Sequence, residues 1–204
     1  MSGWRKLEVS LLVGLAVSLL FGGRLNGAQT ALADKMVRLH VIANSDSPWD
    51  QTVKLMVRDR MLEEVGGLLD GETDLEQAKE KIQEALPKLA RAGQEVALDA
   101  GDTYPVTASL ERTFFPTKEY EGFALPAGEY TALRIVLGEG AGKNWWCVLF
   151  PPLCTGVATE EVEDAAAAAG LTDEEIALIT EQEEGYIFRF RCIEWWAQIK
   201  HIFC

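Results

Sequence analysis

Between residues 36 and 60 the hydrophobic pattern changes period once, and sharply. Val37, Leu39, Val41 and Ala43 alternate with Arg38, His40 and Ile42, the two-residue period of a strand. Asn44 to Pro48 then interrupt it, and Trp49, Val53, Met56, Val57 and Met61 recur at helical spacing. Ser47 suits an N-cap, because its hydroxyl can accept from an orphan backbone N–H. Pro48 suits the first helical position, where a missing N–H loses nothing. Asp50 lies near the positive end of the helix dipole. The stretch predicts a strand, a polar corner and a helix from Pro48 to Val65 that stops at Gly66-Gly67.

The pattern then alternates between the two periods. A capping box, Thr73 with Glu76, predicts a second helix whose stripe is Leu75, Ala78, Ile82, Ala85, Leu86 and Leu89. Pro87 predicts a kink, and Gly93 a stop. Val106, Ala108, Leu110 and Phe114 alternate with Thr107, Ser109, Glu111 and Thr113, predicting a strand. Residues 117–127 read as a loop. Tyr130 to Leu137 and Trp145 to Phe150 read as two strands of a hairpin, joined by a glycine-rich connection and ended by Pro151-Pro152. A short helix over Glu160 to Ala169 follows Thr159 and stops at Gly170. Thr172 with Glu175 opens another helix through about Thr180. Tyr186 to Cys192 predicts a last strand, and Glu194 to Phe203 a closing helix. This order predicts a mixed α/β (α+β) fold: one domain over residues 34–204, a mixed sheet of about four to five strands with helices packed on it.

The first 33 residues do not belong to that pattern. Arg5 and Lys6 precede an apolar run from Val9 to Phe21, and Ala31-Leu32-Ala33 has the small–x–small form of a cleavage site. Residues 1–33 are expected to be a signal peptide or an N-terminal membrane anchor, and either places residues 34–204 outside the cytoplasm. The run is shorter than the roughly 20 residues that span a bilayer.

Charge narrows the partners. The chain has 204 residues and a net charge of −13, and residues 34–204 hold 16 basic and 31 acidic side chains. Phosphate backbones would repel such a surface, which argues against nucleic acid. Cys147, Cys154, Cys192 and Cys204 permit disulfides outside the cytoplasm. Cys147 and Cys154 flank Pro151-Pro152, and a local bridge or two buried thiols both fit that spacing.

Candidate chemistry is sparse. His40 is the histidine inside a strong element, with Arg38 on its face and Asp46 and Asp50 near in sequence. A hydrolase would need Ser45, Ser47 or a cysteine beside it, and no nucleophile elbow is present. A metal site joining His40 to Cys147 and Cys154 lacks any paired ligand spacing. Gly138 to Asn144 is not a phosphate loop: its glycine spacing is wrong, and Asn144 stands where Ser or Thr would hold magnesium. No cofactor is expected. Trp145 and Trp146, adjacent in a strand, must face opposite sides of the sheet. One can offer a binding surface, where tryptophan is enriched. Trp195 and Trp196 suit an interfacial contact.

Three stretches carry a resemblance. Leu39 to Pro48, followed by Lys54-Leu55 and Val57-Arg58-Asp59, resembles the stage II sporulation protein R family. So do Asn144 to Cys154 and, more weakly, Phe188 to Trp196. The similarity runs from about residue 36 to the end of the chain. Members of that family are secreted signalling proteins of endospore formers. The resemblance implies a protein exported from the forespore into the space between forespore and mother-cell membranes. There it would activate a membrane-embedded receptor protease that processes the precursor of the early mother-cell sigma factor. It implies a ligand rather than an enzyme, with Arg38, His40, Asn44, Asp46, Arg58 and Trp146 as expected contact residues. Two rival readings are an extracytoplasmic hydrolase using His40 and a structural envelope protein.

Overall fold

Val37–Ile42 (β1) is the strand around which the other elements are placed, and all six of its residues are buried. The computed structural model describes residues 10–14, 29–120, 122–153 and 159–180. β1 lies inside a four-stranded mixed sheet of order β2-β5-β1-β6, where β2 is Val106–Phe115, β5 is Gly128–Leu137 and β6 is Asn144–Phe150. β5 runs parallel to β1, while β6 is antiparallel to β1 and β2 is antiparallel to β5. The mixed α+β class expected from the pattern is the one observed.

The expected hairpin of β5 and β6 does not form. β1 lies between them, pairing Leu39 with Leu133 on one side and with Cys147 on the other. The reason is burial. A strand apolar on one face and lined by Arg38 and His40 on the other is best covered in the sheet interior, which requires a neighbour on each edge.

The two faces carry separate cores. On one, Val37, Leu39, Val41, Leu133, Ile135 and Leu137 meet two helices. Helix α1 (Pro48–Leu68) buries Val53, Val57, Met61 and Val65, one residue per turn, each stabilising by about 1.5–3 kcal/mol when fully covered. Trp49 and Met56 belong to the same helical pattern but are 52% and 43% exposed. The α1 stripe is narrower than expected. Trp49 reaches outward, and its Nε1 donates to Asp102 Oδ2 at 3.1 Å. The helix also runs past Gly66-Gly67, since glycine lowers helix stability without ending a packed helix.

Helix α2 (Leu75–Asp99) begins one residue later than the capping box predicts. Asp74 is the N-cap, and its carboxylate accepts from Gln77 N at 2.9 Å. The helix continues through Pro87 and through Gly93. Gly93 is buried against β2, where a Cβ would come 2.9 Å from Val106 Cγ1. Its smallness serves close helix–sheet packing rather than a stop.

The second face is covered by smaller pieces. Leu32, Ala33 and Met36, from a helical turn over residues 29–34 and the link that follows, join Phe115, Phe123, Leu125, Tyr130 and Val148. Helices α3 (Thr159–Ala168) and α4 (Asp173–Thr180) add Val162, Ala166, Ile176 and Ile179. The predicted capping box of α4 is present: Glu175 N donates to Thr172 Oγ1 at 3.3 Å, and Thr172 N to Glu175 Oε2 at 2.8 Å. Lys35 pairs with Glu175 at 2.6 Å and ties the approach to β1 onto this layer. In β2 the buried ring is Phe115, not Phe114, which is 38% exposed. Phe114 does share the face of Val106 but lies at the far end of the strand, and Phe115 enters the second core. The expected loop over 117–127 contains a two-residue ladder, Lys118–Glu119 (β3) with Ala124–Leu125 (β4).

Residues 1–9 and 15–28 of the expected leader, the expected strand over 186–192 and the expected closing helix lie outside the described residues. Among the described residues no helix is long and apolar enough to cross a membrane.

The glycine-rich connection leaves no room for a side chain at Gly138 or Gly142. A Cβ on Gly142 would lie 2.2 Å from the Ser45 carbonyl oxygen, a backbone atom that cannot rotate away. Gly142→Ala is therefore expected to lower unfolding stability by about 2 kcal/mol or more, measured by urea denaturation. A change below about 0.5 kcal/mol would contradict this packing.

Candidate functional site

Two arrangements grow out of β1, one at its end and one on its second face. At the end, the chain turns from strand to helix through Asn44 to Ser47. Asp50, 7% exposed, gathers that corner. Its Oδ2 accepts from Ser45 Oγ at 2.5 Å and from Asn44 Nδ2 at 3.1 Å, and its N–H donates to Ser47 Oγ at 3.0 Å. The Ser45 bond, more than the opposing effect of burial, holds the Asp50 carboxyl below its ordinary range.

The loop over residues 138–143 then closes over this corner. Glu139 N donates to Asn44 Oδ1 at 3.0 Å, and Lys143 N to Asp46 Oδ1 at 2.7 Å. Ala141 N and Gly142 N donate to the carbonyls of Asn44 and Ala43. Buried Lys54 donates to Gln51 Oε1 at 2.7 Å and to the Lys143 carbonyl at 3.1 Å. Gly138 has φ 56°, and a Cβ there would overlap Asn44 Oδ1. The glycines that mimic a phosphate loop in sequence are instead a clasp on the Asn44–Asp46 corner.

The second arrangement is an aromatic cluster centred on Phe115. The Arg38 guanidinium carbon lies 4.0 Å from the Phe115 ring centre and 4.8 Å from that of Tyr130. Such cation–π contacts are attractive, and more so when desolvated. Arg38 Nη2 donates to the Tyr120 hydroxyl at 2.5 Å. His40 and Trp146 pack on the same ring at 5.7 and 6.2 Å between centroids. Burial lowers the pKa of Arg38 and pushes the Tyr130 phenol up to about 12, so the phenol stays neutral.

Arg38 is fully buried and His40 is 7% exposed. Asn44 is half-buried and bonded at both ends of its amide, while Asp46 is exposed. Arg58, half-buried on α1, lies 4.9 Å above the Trp145 ring on the helix side of the sheet. Trp146 is half-buried on the other side, so the two tryptophans face opposite ways as strand geometry requires. Arg38, His40 and Trp146 form one cluster, Asn44 and Asp46 belong to the corner, and Arg58 stands apart with Trp145.

Among the described residues, the nucleophiles weighed for His40 (Ser45, Ser47 and Cys147) are engaged elsewhere. Ser45 bonds to Asp50, and Ser47 caps α1. His40 Nε2 is 2.9 Å from Asn144 Oδ1. Cys147 pairs with Leu39 and lies in the helix-side core, across the sheet from His40. Cys154, Cys192 and Cys204 lie outside the described residues. Among the described residues no group of three His, Cys, Asp or Glu side chains is arranged to hold a metal.

Sequence reading missed Phe115, Tyr120, Tyr130 and Asn144. The aromatics sat in a strand end and an apparent loop, and Asn144 in a glycine-rich stretch. The one available signal was the pairing of Arg38 and His40 on a buried strand face, which requires covering groups able to accommodate a cation.

Comparison with known proteins agrees with the stretches that meet here. The family model described as Stage II sporulation protein R (spore_II_R) matches residues 33–160. The chain is 35% identical over 181 residues to the stage II sporulation protein R of Bacillus subtilis (strain 168), covering 80% of this chain and 81% of that protein. This chain belongs to the stage II sporulation protein R family. Its role is accordingly in spore formation. No solved structure matches it. The family match contains the whole of the corner, its glycine clasp and the Phe115 cluster.

His40 supplies a pH test of this packing. Burial lowers its pKa against the Asn144 hydrogen bond; Arg134 on β5 and Arg38 on β1 lower it further, while Glu111 on β2 opposes them. A depressed histidine leaves stability intact above the unfolded pKa of about 6.5. Stability is lost as pH falls toward the folded value, because the unfolded chain binds the proton first. The thermal midpoint of the native chain should therefore fall more than that of His40→Gln between about pH 7.5 and pH 5.5. Parallel curves would show that His40 is not buried neutral.

Proposed function

We propose that this protein is an exported signalling ligand of spore formation. It leaves the forespore, enters the space between the two membranes and activates a membrane-embedded protease of the mother cell. That protease removes the pro-segment of the early mother-cell sigma factor. The protein does no chemistry itself; it acts by binding the active state of the receptor more tightly than the inactive one.

The observation that carries this reading is family membership across the chain. The fold supports it in one respect. The two stretches with the strongest resemblance, 39–59 and 144–154, are far apart in sequence, yet β1 and β6 pair, setting His40 opposite Trp146. Asp46, Asn44 and Trp146 would then touch the receptor directly. Arg38 would act through Tyr120, which lies over it, and Arg58 through Trp145. We propose a Cys147–Cys154 bridge that holds the end of β6; the bonded state of Cys147 supports a disulfide there. Burial of Leu32 and Ala33 in the second core supports retention of the segment from residue 29 onward.

Reconstitution tests the proposal. The receptor protease and its sigma-factor precursor are produced in a non-sporulating bacterium, with and without this protein, and the precursor is followed by blotting. The shortened product should appear only when this protein is present, and should vanish when residues 1–28, which precede the buried segment, are deleted. Absence of cleavage with the protein exported and folded would remove the signalling reading for that pair.

A further inference from the structure

Arg38 is left incomplete by the fold around it. Its side chain is fully buried, yet Nε and Nη1 have no hydrogen-bond acceptor among the described residues. Nη2 donates to the Tyr120 hydroxyl. None of the ion pairs among the described residues includes Arg38. The surrounding rings attract the charge but supply no acceptor for those N–H groups. Buried donors are nearly always paired, so two unpaired nitrogens on one cation point to a missing group.

The same cluster holds two more unpaired polar atoms. Among the described residues, buried Trp146 Nε1 has no acceptor and buried His40 Nδ1 has no partner. The indole can only donate, and Nδ1 becomes a donor when the imidazole is protonated. Arg38, His40 and Trp146 all pack on Phe115. The cover over Arg38 is Tyr120, carried between β3 and β4, whose ladder is two residues long on each strand. So short a ladder adds little stability of its own.

We propose that Arg38, with Trp146 and His40 beside it, is a carboxylate-binding site beneath Tyr120, taken by an acidic side chain. A carboxylate is acceptor-only, carries two oxygens and matches a guanidinium in charge and planarity. The site has one fixed cation, and a single negative charge balances it. The acid comes either from a partner protein or from this chain's own residues beyond Thr180, which include Glu181, Glu183, Glu184 and Glu194. The site does not rest on the signalling role, and its test needs no receptor.

The full chain is labelled with nitrogen-15 arginine, and the Arg38 Nε–Hε resonance is assigned from its loss in Arg38→Lys. Should that variant not fold, the resonance is assigned from its movement in Tyr120→Phe. Sodium acetate is the probe, with sodium chloride at equal ionic strength as the reference. The resonance should move saturably with acetate and not with chloride, and Trp146→Phe should weaken acetate binding about two- to tenfold. A resonance already in the bonded position, unmoved by acetate and released by glutamine at Glu181, Glu183, Glu184 and Glu194, places the carboxylate within the chain and also upholds the site. A resonance in the unbonded position, indifferent to acetate and to those substitutions, would overturn it.

Discussion

Burying one strand on both faces is the constraint from which the rest of this structure follows. β1 has an apolar side that two long helices cover, and that half is ordinary core packing. Its other side carries Arg38 and His40, and no such simple solution exists there. A guanidinium withdrawn from water needs attraction from its surroundings. Phe115, Tyr130 and Tyr120 supply it through ring faces and one hydroxyl. The second layer, assembled from a helical turn, a two-residue ladder and two short helices, exists to cover that face. Its small pieces contrast with the continuous α1 and α2 opposite.

The corner after β1 converts this central strand into a surface feature. Asp50 organises the turn from inside, and the 138–143 clasp fixes it from outside. The clasp is also the connection between β5 and β6, the two strands that flank β1. One loop thus sets the position of both neighbours and of the exposed Asp46. Changes to its glycines would disturb the sheet and the corner together, so a loss of function there would not by itself identify a contact residue.

Local signals in the sequence read through to the structure where the physics is local. The alternation of Val37, Leu39 and Val41, the Ser47 cap, the Thr172–Glu175 box and the opposed tryptophans each depend on a few neighbouring residues. The structure departs from the local pattern where distant segments decide. A hairpin of β5 and β6 is the nearest pairing in sequence, but β1 arrives from about 90 residues earlier and takes the place between them. Gly93 reads as a helix stop along the chain, where its contact with Val106 is invisible. Phe114 and Phe115 could be separated only by knowing which face is covered at that end of β2. The site was legible in part. Arg38, His40 and Trp146 were visible as a buried pair and a spare tryptophan, whereas Tyr120 and Phe115 reach them only through the folded sheet.

On the proposed signalling role, the end of β1 and the adjoining β6 would form the surface that meets the receptor protease. Crosslinking tests it most directly. A photoreactive amino acid is placed at exposed Asp46 in one variant and at exposed Glu80, far along α2, in another, and each is irradiated with membranes containing the receptor protease. A receptor adduct is expected from position 46 and none from position 80. An adduct from position 80 alone, with both variants folded, would contradict it and move the receptor surface to the helical face.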